Sequence, residues 1–272
     1  MIGGGSVENI PHNTVHTWCG DNNEPNLENM GNFYSAARDP IFYSHHSNID
    51  RMWSVWKTLG GRRQDLQYPE WLDASFIFYN EKGEAVRVRV RDCLDTKNLG
   101  YIYQDVELPW LETRPTPRRA LRAQKSVDSN VPSRRVKPGR MKFPVTVESA
   151  VSREVKRGKK SRSRKEKDEE EEILVIKGIE FDPNTAIKLD VYINDEDERE
   201  IRGDNTEFAG SFVNVPHKHG HKKKVKTGLR LGITEVLEDL EADDDDSIIV
   251  TIIPSLGAGL VSIADITLEY GD

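Results

Sequence analysis

The stretch that decides the fold contains two histidine pairs: Pro11-His-Asn-Thr-Val-His-Thr-Trp18, then Asp39-Pro-Ile-Phe-Tyr-Ser-His-His-Ser-Asn-Ile-Asp-Arg-Met-Trp53. On a helix, the i, i+4 spacing of His12 and His16 places both imidazoles on one face. Such a pair can hold one metal ion, and a third imidazole from another helix would complete the set. Surface helices also carry such pairs by chance. Because imidazole binds copper, zinc, iron and nickel, these residue types leave the metal open.

The second pair lies in a segment with helical periodicity. Phe42, Ile49, Trp53 and Trp56 recur at helical spacing after Pro40, which predicts a buried amphipathic helix. Of the two adjacent histidines, the second falls inside the apolar stripe and the first on its flank. Both are either hydrogen-bonded core residues or metal ligands, because burying two imidazoles has a desolvation cost that needs a compensating contact. Helix geometry alone does not decide which of the two points at a metal.

These motifs resemble a known family. The two segments above, with Asn29-Met-Gly-Asn-Phe-Tyr-Ser35 between them, are similar to the second copper-binding (CuB) half of plant polyphenol oxidases, the tyrosinase-like catechol oxidases. The resemblance implies that His12, His16 and His46 bind CuB and that His45 lies beside these ligands without binding the metal itself. It also implies copper as the cofactor, phenols or catechols and O₂ as substrates, and the chloroplast thylakoid lumen as the location.

Further roles follow from the resemblance. Glu8 and Asn13 match a carboxylate and an amide that hold a water near CuB, where they would help to take a proton from a phenol. The alternative for each is a capping or surface residue. Phe33 matches an aromatic gate over the copper, although an ordinary core phenylalanine fits the position almost as well. Asp50 is expected either to pair with Arg51 or to orient a histidine in the second shell.

Composition bounds the protein class. The chain has 272 residues, of which 36% are hydrophobic and 31% charged, and its formal net charge is −7. No run of about 18 apolar residues occurs, so a membrane-spanning helix is not expected. The first residues have neither the basic region nor the apolar core of a targeting segment. Cys19 and Cys93 are too few for a disulfide framework, and free buried thiols are the expected state.

Four regions are predicted along the chain, and together they indicate an α+β protein. Residues 1–61 form the helical copper-binding portion, half of a four-helix bundle, which Gly60-Gly61 ends. Residues 62–110 contain Glu70-Trp-Leu72 and Tyr101-Ile-Tyr103, which resemble the Asp-Trp-Leu and Tyr-x-Tyr motifs of the plant enzymes. Residues 111–141 are rich in Pro, Arg, Ser and Lys, as in an exposed linker prone to proteolysis. Residues 142–272 form the C-terminal domain.

The last region is predicted to be a β-sandwich. Alternating apolar residues indicate strands at 187–193, 247–253 and 263–270, and Gly, Asp and Asn turns separate them. Lys142-Phe-Pro-Val145 departs by one residue from the Lys-Phe-Asp-Val signature of the family's C-terminal domain. The segment 156–172 changes from basic to acidic and is expected to be a disordered loop. In the middle region, a turn at 80–83 followed by alternating valines predicts a half-buried strand.

Two other binding functions are disfavoured. His217, His219 and His221 would share a face of a strand, but the following run of lysines makes the segment cationic and disfavours a metal ion there. The basic linker carries no aromatic residue between Trp110 and Phe143 and no nucleic-acid fold motif, so nucleic-acid binding is not expected.

The resemblance therefore implies a polyphenol oxidase that converts o-diphenols to o-quinones. That chemistry needs two coppers with three histidines each, and this chain supplies one set, so the CuA half is missing and would be needed for a complete site. The alternative is a truncated, catalytically inactive copper-binding fragment. A third hypothesis, an O₂-binding relative without turnover, is disfavoured by the Tyr-x-Tyr and Lys-Phe-x-Val signatures. Residue patterns leave open the choice between monophenols and diphenols and the oligomeric state.

Overall fold

The structure is a computed structural model that describes residues 6–61, 63–112, 142–195, 205–216 and 224–271. Contacts divide the chain into two compact units, one of residues 50–112 and one of residues 1–49 with 113–272. Most of the expected linker and all three histidines of the 217–221 group lie outside the described residues. The expected boundaries of the four regions stay predictions. Among the described residues no helix is long and apolar enough to cross a membrane.

The N-terminal part is helical, as predicted. A helical segment, Glu8–Asn13, which is kinked at Ile10 (φ −139°, ψ 122°), leads into α1, Thr14–Cys19. A short 3₁₀ turn at Ala36–Arg38 precedes the long helix α2, Ile41–Thr58. Gly60 and Gly61 follow with φ of +73° and +66°. Only glycine adopts such positive angles without strain, which confirms the predicted end of this helix.

The apolar stripe of α2 is not buried within this chain. His45 is the one fully buried residue of the helix, whereas Phe42 and Ile49 are half-buried and Trp53 and Trp56 are 41% and 40% exposed. The prediction of a buried amphipathic helix was therefore wrong in its burial and right in its helical period.

Residues 50–112 form a small unit around a β-hairpin. It contains α3 (Pro69–Leu72), β1 (Ser75–Tyr79), β2 (Ala85–Arg89) and 3₁₀ turns at Val90–Cys93 and Pro109–Leu111. The two strands pair antiparallel from Ser75 opposite Arg89 to Tyr79 opposite Ala85. Four of the five residues in β2 are exposed, so the predicted half-buried strand is in fact exposed on both faces. Cys19 and Cys93 are free as expected, but Cys19 is exposed and Cys93 is partly exposed rather than buried.

The C-terminal part is built from nine strands in the described residues. They are β3 (Val145–Thr146), β4 (Val151–Lys156), β5 (Glu171–Phe181), β6 (Ile187–Ile193), β7 (Phe208–Asn214), β8 (Val225–Gly232), β9 (Ser247–Leu256), β10 (Ser262–Ile263) and β11 (Asp265–Gly271). One sheet has five strands in the order β11-β5-β10-β3, with β8 also paired to β5. The other has four strands in the order β4-β9-β6-β7, which leaves β7 at its edge.

The two sheets share one hydrophobic core, which confirms the predicted β-sandwich. Alternate residues of β5 and β8 pack against alternate residues of β6 and β9, as inward-facing strand positions do. The core includes Leu174, Ile176, Leu229, Ile187, Leu189, Val250 and Ile252, each 1% exposed or less. The three strands predicted from alternation all form, the last of them as β10 and β11.

The segment 156–172 is ordered, contrary to the expected loop. It contains helix α4, Arg164–Glu169, which begins at Ser163. The hydroxyl of Ser163 accepts from the backbone N–H of Glu166, and the Glu166 carboxylate accepts from the backbone N–H of Ser163 in return. This capping box satisfies two amide groups at the helix start. The charge run therefore supplies local hydrogen bonds and ion pairs, and the compositional rule for disorder failed here because it ignores such pairing.

A buried ion pair fixes this segment to the sandwich. The guanidinium of Arg157 donates to both carboxylate oxygens of Glu172 at 2.9 Å, and the two side chains are 2% and 1% exposed. Arg157 also donates to the backbone carbonyls of Ala242, Asp243 and Asp245. Removing Arg157 would leave the buried carboxylate of Glu172 with more distant partners, the Tyr270 hydroxyl at 3.3 Å and the Arg162 guanidinium at 3.9 Å.

We expect Arg157→Met to lower the free energy of unfolding of the sandwich by about 3 kcal/mol or more, because Glu172 would keep its burial and lose its bidentate partner. The matched control is Arg153→Met, whose ion pair with Asp265 is partly exposed and should cost less than about 1 kcal/mol. Urea unfolding followed by circular dichroism measures both. Equal stability of the two variants would contradict the structural role assigned to Arg157.

Candidate metal centre

Four histidines converge from three helical elements. His12 lies in the segment Glu8–Asn13, His16 in α1, and His45 and His46 in α2. The Nε2 atom of His46 lies 3.3 Å from Nε2 of His12 and 3.2 Å from Nε2 of His16. The same nitrogen of three rings therefore points to one place. The arrangement predicted from the spacing of the two segments is present.

His16 is held by a backbone carbonyl. Its Nδ1 lies 2.8 Å from the carbonyl oxygen of Met30, and the residue is 1% exposed. Since a carbonyl oxygen only accepts, Nδ1 carries the proton and donates it, which leaves the lone pair on Nε2. Desolvation by burial lowers the pKa of His16 most, against the opposing effect of the Met30 hydrogen bond.

The other ring nitrogen of His12, Nδ1, faces a side-chain amide. Its Nδ1 lies 2.9 Å from Oδ1 of Asn13, which is itself buried. The Nδ2 group of Asn13 donates at 3.0 Å to the backbone carbonyl of Val213 in β7. This strand belongs to the same compact unit as the histidines. Asn13 thus contacts both a histidine of the cluster and the C-terminal sandwich.

Two sets of three ligands are geometrically available. Potential ligand atoms of His12, His16 and His45 all lie within 4.8 Å of one another. Nε2 of His45, however, lies 3.0 Å from the backbone carbonyl of His12, to which it donates. A nitrogen that donates has no lone pair for a metal. The set with His46 has shorter separations and uses Nε2 of every ring, so we favour it over the set with His45.

The local environment disfavours protonated imidazoles. Desolvation is the largest cause that lowers the pKa of His46 to about 4, followed by repulsion from His12, His16 and His45. Burial likewise lowers the pKa of His45 below its usual value, partly offset by the hydrogen bond to the His12 carbonyl. These rings are neutral at physiological pH, and the neutral imidazole is the form that binds metal ions.

Aromatic rings line the cluster. The centroid of the Phe42 ring lies 4.0 Å from that of His46 and 5.9 Å from that of His16. The ring of Phe33 lies edge-on to His16 at 6.5 Å and is 47% exposed. Phe33 therefore sits next to the histidines and faces solvent, and it is not an ordinary core residue. Its role as a gate stays a prediction.

The other predicted site residues have different surroundings. Glu8 is exposed at the start of the segment Glu8–Asn13. Within the unit 50–112, Asp50 accepts hydrogen bonds from the hydroxyls of Tyr101, at 2.8 Å, and of Tyr103. These are the two tyrosines of the Tyr-x-Tyr motif. The water-holding role of Glu8 with Asn13 and the second-shell role of Asp50 stay predictions.

Sequence reasoning missed three participants. Asn9 is 3% exposed, and its Oδ1 accepts from the backbone N–H of Val213 at 3.1 Å. Met30 is fully buried and offers its carbonyl to His16. The available signal was the i, i+4 spacing of Asn9 and Asn13, which repeats the spacing of the two histidines. A sequence does not show which backbone groups, such as those of Met30 and Val213, will bind a side chain of the site.

Three sequence models of known families match the chain. The common central domain of tyrosinase matches residues 1–59, the polyphenol oxidase middle domain residues 65–116, and the chloroplastic polyphenol oxidase C-terminal domain residues 143–270. Together these matches follow the order of regions predicted from the motifs.

Curated relatives match nearly the whole chain. A chloroplastic polyphenol oxidase of Malus domestica is 58% identical over 98% of this chain and 46% of its own length. The polyphenol oxidase A1 of Vicia faba is 54% identical over 99% of this chain and 47% of its own length, and aureusidin synthase of Antirrhinum majus is 53% identical over 98% and 48%. The chain thus spans about half the length of these relatives. Several are named chloroplastic, which supports a chloroplast location.

Solved structures agree with these matches. The latent apple tyrosinase is 55% identical, with a TM-score of 0.87 over 99% of this chain and 57% of that protein. A latent aurone synthase from a natural source is 36% identical, with a TM-score of 0.85 over 99% of this chain and 52% of that protein. The likeness includes both the helical portion and the sandwich.

The tyrosine pair on Asp50 gives a pH prediction. Burial and then the hydrogen bond to Asp50 raise the pKa of Tyr103 above its ordinary value. A raised pKa means that folding stabilises the protonated phenol. This contribution is complete below pH about 10, the unfolded pKa, and is lost as the pH rises towards the folded pKa. We expect Asp50→Asn to lower the pKa of Tyr103 only in part, because its burial remains.

Alkaline titration of phenolate absorbance measures this effect, with Tyr103→Phe identifying the late-titrating group. Asp73→Asn is the control, since Asp73 pairs with Arg91 and not with a tyrosine. An unchanged late titration in Asp50→Asn would contradict the assignment of Asp50 as a cause of the raised pKa.

Proposed function

Because this chain belongs to the plant polyphenol oxidase family, we propose that it is the C-terminal part of a polyphenol oxidase and holds one copper ion through His12, His16 and His46. The observation that carries this proposal is that Nε2 of His12 and Nε2 of His16 lie 3.3 Å and 3.2 Å from Nε2 of His46. A metal ion at their meeting point would be a shared partner for all three nitrogens.

The donor set fits copper. Copper accepts imidazole nitrogen readily and binds such ligands more tightly than most other first-row divalent metals. The Nδ1 atoms of His12 and His16 face the oxygens of Asn13 and Met30, and this second contact fixes ring orientation in metal-binding histidines. The absence of a carboxylate from the convergent atoms disfavours hard cations such as magnesium and calcium.

The proposed reaction is the oxidation of o-diphenols to o-quinones with reduction of O₂ to water. Copper, when bound, supplies the redox chemistry that carries electrons from the phenol to oxygen. The chain's own residues bind and orient the substrate. Phe33, beside His16 and open to solvent, offers an aromatic edge to a phenol ring. Asn13, with Glu8, would hold the water that takes up the phenol proton.

A complete site needs a second set of histidines. The chain has seven histidines in all: His12, His16, His45, His46, His217, His219 and His221. Among the described residues no further histidine accompanies the four of the cluster, and the last three follow the sandwich strand β7 in sequence and lie outside the described residues. We therefore propose that activity needs the CuA half of the full-length enzyme. The alternative is a catalytically inactive copper-binding fragment, in keeping with a chain that spans about half of its relatives.

The surface of the unit 50–112 supports the proposal that this unit packs against more protein. Within residues 50–61 and 63–112 no residue is buried. Large apolar residues are instead exposed, among them Trp56, Ile77, Phe78, Tyr79 and Ile102. A surface of this kind on a small unit is typical of one that packs against more protein. We assign that role to the N-terminal half.

Two further parts of the proposal follow the family. Within the chloroplast we propose the thylakoid lumen as the location. We also propose that the C-terminal sandwich shields the copper face and keeps the full-length enzyme latent until the segment 111–141 is cut. A tethered domain needs only modest contact energy for this, since the tether keeps its local concentration high. The contacts of Asn9 and Asn13 with β7 support this proposal.

Copper binding by single-histidine variants tests the proposed ligand set. We expect the wild-type chain to retain one copper after dialysis. His16→Ala and His46→Ala should each lose at least about a hundredfold in copper affinity, because each removes one of three ligands. His45→Ala is the matched control and should stay within about tenfold, since its ring bonds a backbone carbonyl. Competition with a chelator gives the affinities.

Circular dichroism of each variant checks that the sandwich remains folded. If His45→Ala lost as much copper affinity as His46→Ala, the assignment of His46 and not His45 as the third ligand would be contradicted. Two tightly bound coppers per chain would contradict the single site.

A further inference from the structure

The edge strand β7 makes an unusual contact with the histidine-bearing segment. It ends the four-stranded sheet, so one side of its backbone has no neighbouring strand in the sheet. Lys188 of β6 is paired with Val213 on the other side. An exposed row of such unpaired N–H and C=O groups is a liability that proteins usually cover. Here the cover comes from two side chains.

Asn9 and Asn13 together satisfy both backbone groups of one residue. The Val213 N–H donates to Oδ1 of Asn9 at 3.1 Å, and the Val213 carbonyl accepts from Nδ2 of Asn13 at 3.0 Å. The two amides supply the acceptor and the donor that a neighbouring strand would supply. Both side chains are buried, at 3% and 7% exposure, and Val213 is 3% exposed, so these two hydrogen bonds lie largely out of solvent. We call this contact the asparagine clamp.

Apolar and backbone contacts flank the clamp. A Cβ atom placed on Gly210 of β7 would lie 3.5 Å from Cδ1 of Ile10, so this isoleucine packs over the glycine. The backbone N–H of Phe33 points to the carbonyl of Pro216 at 3.5 Å, just beyond the strand. The clamp is therefore the polar centre of a continuous contact between β7 and the segments that carry the histidines and Phe33.

Asn13 connects the clamp to His12. The Val213 carbonyl only accepts, so the amide nitrogen of Asn13 must face it and the amide oxygen must face His12. That oxygen, 2.9 Å from Nδ1 of His12, also only accepts. Nδ1 must therefore carry the ring proton, which leaves the lone pair of His12 on Nε2, the atom that faces His46.

We propose that the asparagine clamp is the docking element by which the sandwich holds the copper-binding segment, and that Asn13 is a positioning residue through which docking fixes the tautomer of His12. The docking part stands on the contacts alone. The significance of the His12 tautomer for copper rests on the proposed function. The asparagine clamp would then both dock the sandwich over the site and fix the tautomer of one copper ligand, His12.

Amide exchange tests the clamp directly. In the full chain, Asn9→Ala should speed hydrogen exchange at the Val213 amide about tenfold, the effect of losing one hydrogen bond. The control is Asn23→Ala, an exposed asparagine whose side chain donates to Asp21, which should leave this amide unchanged. Protection of the β6–β9 amides shows that the sandwich of each variant is folded. An unchanged rate at Val213 in the folded Asn9→Ala chain would overturn the clamp.

Cleavage tests the docking role. With a protease site inserted between residues 113 and 141, the two pieces of the wild-type chain should stay together on gel filtration after cutting. The pieces of the Asn9→Ala chain should separate at concentrations at least about tenfold higher, for the same loss of one hydrogen bond. Equal separation of both proteins would overturn docking through the clamp.

Nitrogen NMR of the His12 ring tests the second part without any metal. The proton should sit on Nδ1 in the wild-type chain and be shared between the two nitrogens in the folded Asn13→Leu chain. A ring proton that stays on Nδ1 in Asn13→Leu would refute the role of Asn13 while leaving the clamp intact. Failure of copper binding would instead strike only at the proposed function, because none of these measurements uses copper.

Discussion

The close packing of imidazoles out of water is the constraint on which the N-terminal part depends. Four rings lie near one another, and desolvation with mutual repulsion keeps the pKa of His16, His45 and His46 below the usual value. Neutral rings placed together need either hydrogen-bond partners or a shared cation. The structure gives one ring nitrogen of His12, His16 and His45 an oxygen partner and turns three Nε2 atoms to a common place.

The same constraint explains why a distant part of the chain is involved. In metal-binding imidazoles the other nitrogen almost always donates to an oxygen, which fixes the tautomer and the ring orientation. For His16 that acceptor is local, the Met30 carbonyl, but for His12 it is an amide oriented by a strand of the sandwich. The sandwich itself has its own core and does not depend on the histidines. The unit 50–112, in contrast, exposes its apolar side chains and is completed, in our proposal, by the other half of the enzyme.

The sequence predicted the local elements well and the contacts between them poorly. Periodicity found α2 and the strands β6, β9 and β11, because side-chain alternation follows directly from local geometry. The histidine cluster was predicted because its residue types and order are themselves the motif. Burial of Trp53 and Trp56 was predicted wrongly, since a pattern reports which face is apolar and not whether a partner covers it. The helix α4 was missed because its capping box lies in a charge run typical of disorder.

Contacts that involve backbone atoms were beyond prediction. No residue type marks Val213 as the group that Asn9 and Asn13 bind, since its N–H and C=O are common to almost every residue. Likewise, the hydrogen bonds that Asp50 accepts from Tyr101 and Tyr103 span 51 and 53 positions of sequence and were not predicted. Long-range pairing of this kind depends on the fold as a whole.

Electron paramagnetic resonance of the chain loaded with copper(II) tests the central claim most directly. The account predicts one mononuclear signal that integrates to one spin per bound copper, with pulsed spectra showing coupling to three imidazoles. In His46→Ala the number of coupled imidazoles should fall by one. A signal without imidazole coupling, or bound copper that gives no signal because two ions are coupled, would contradict a single copper site built from His12, His16 and His46.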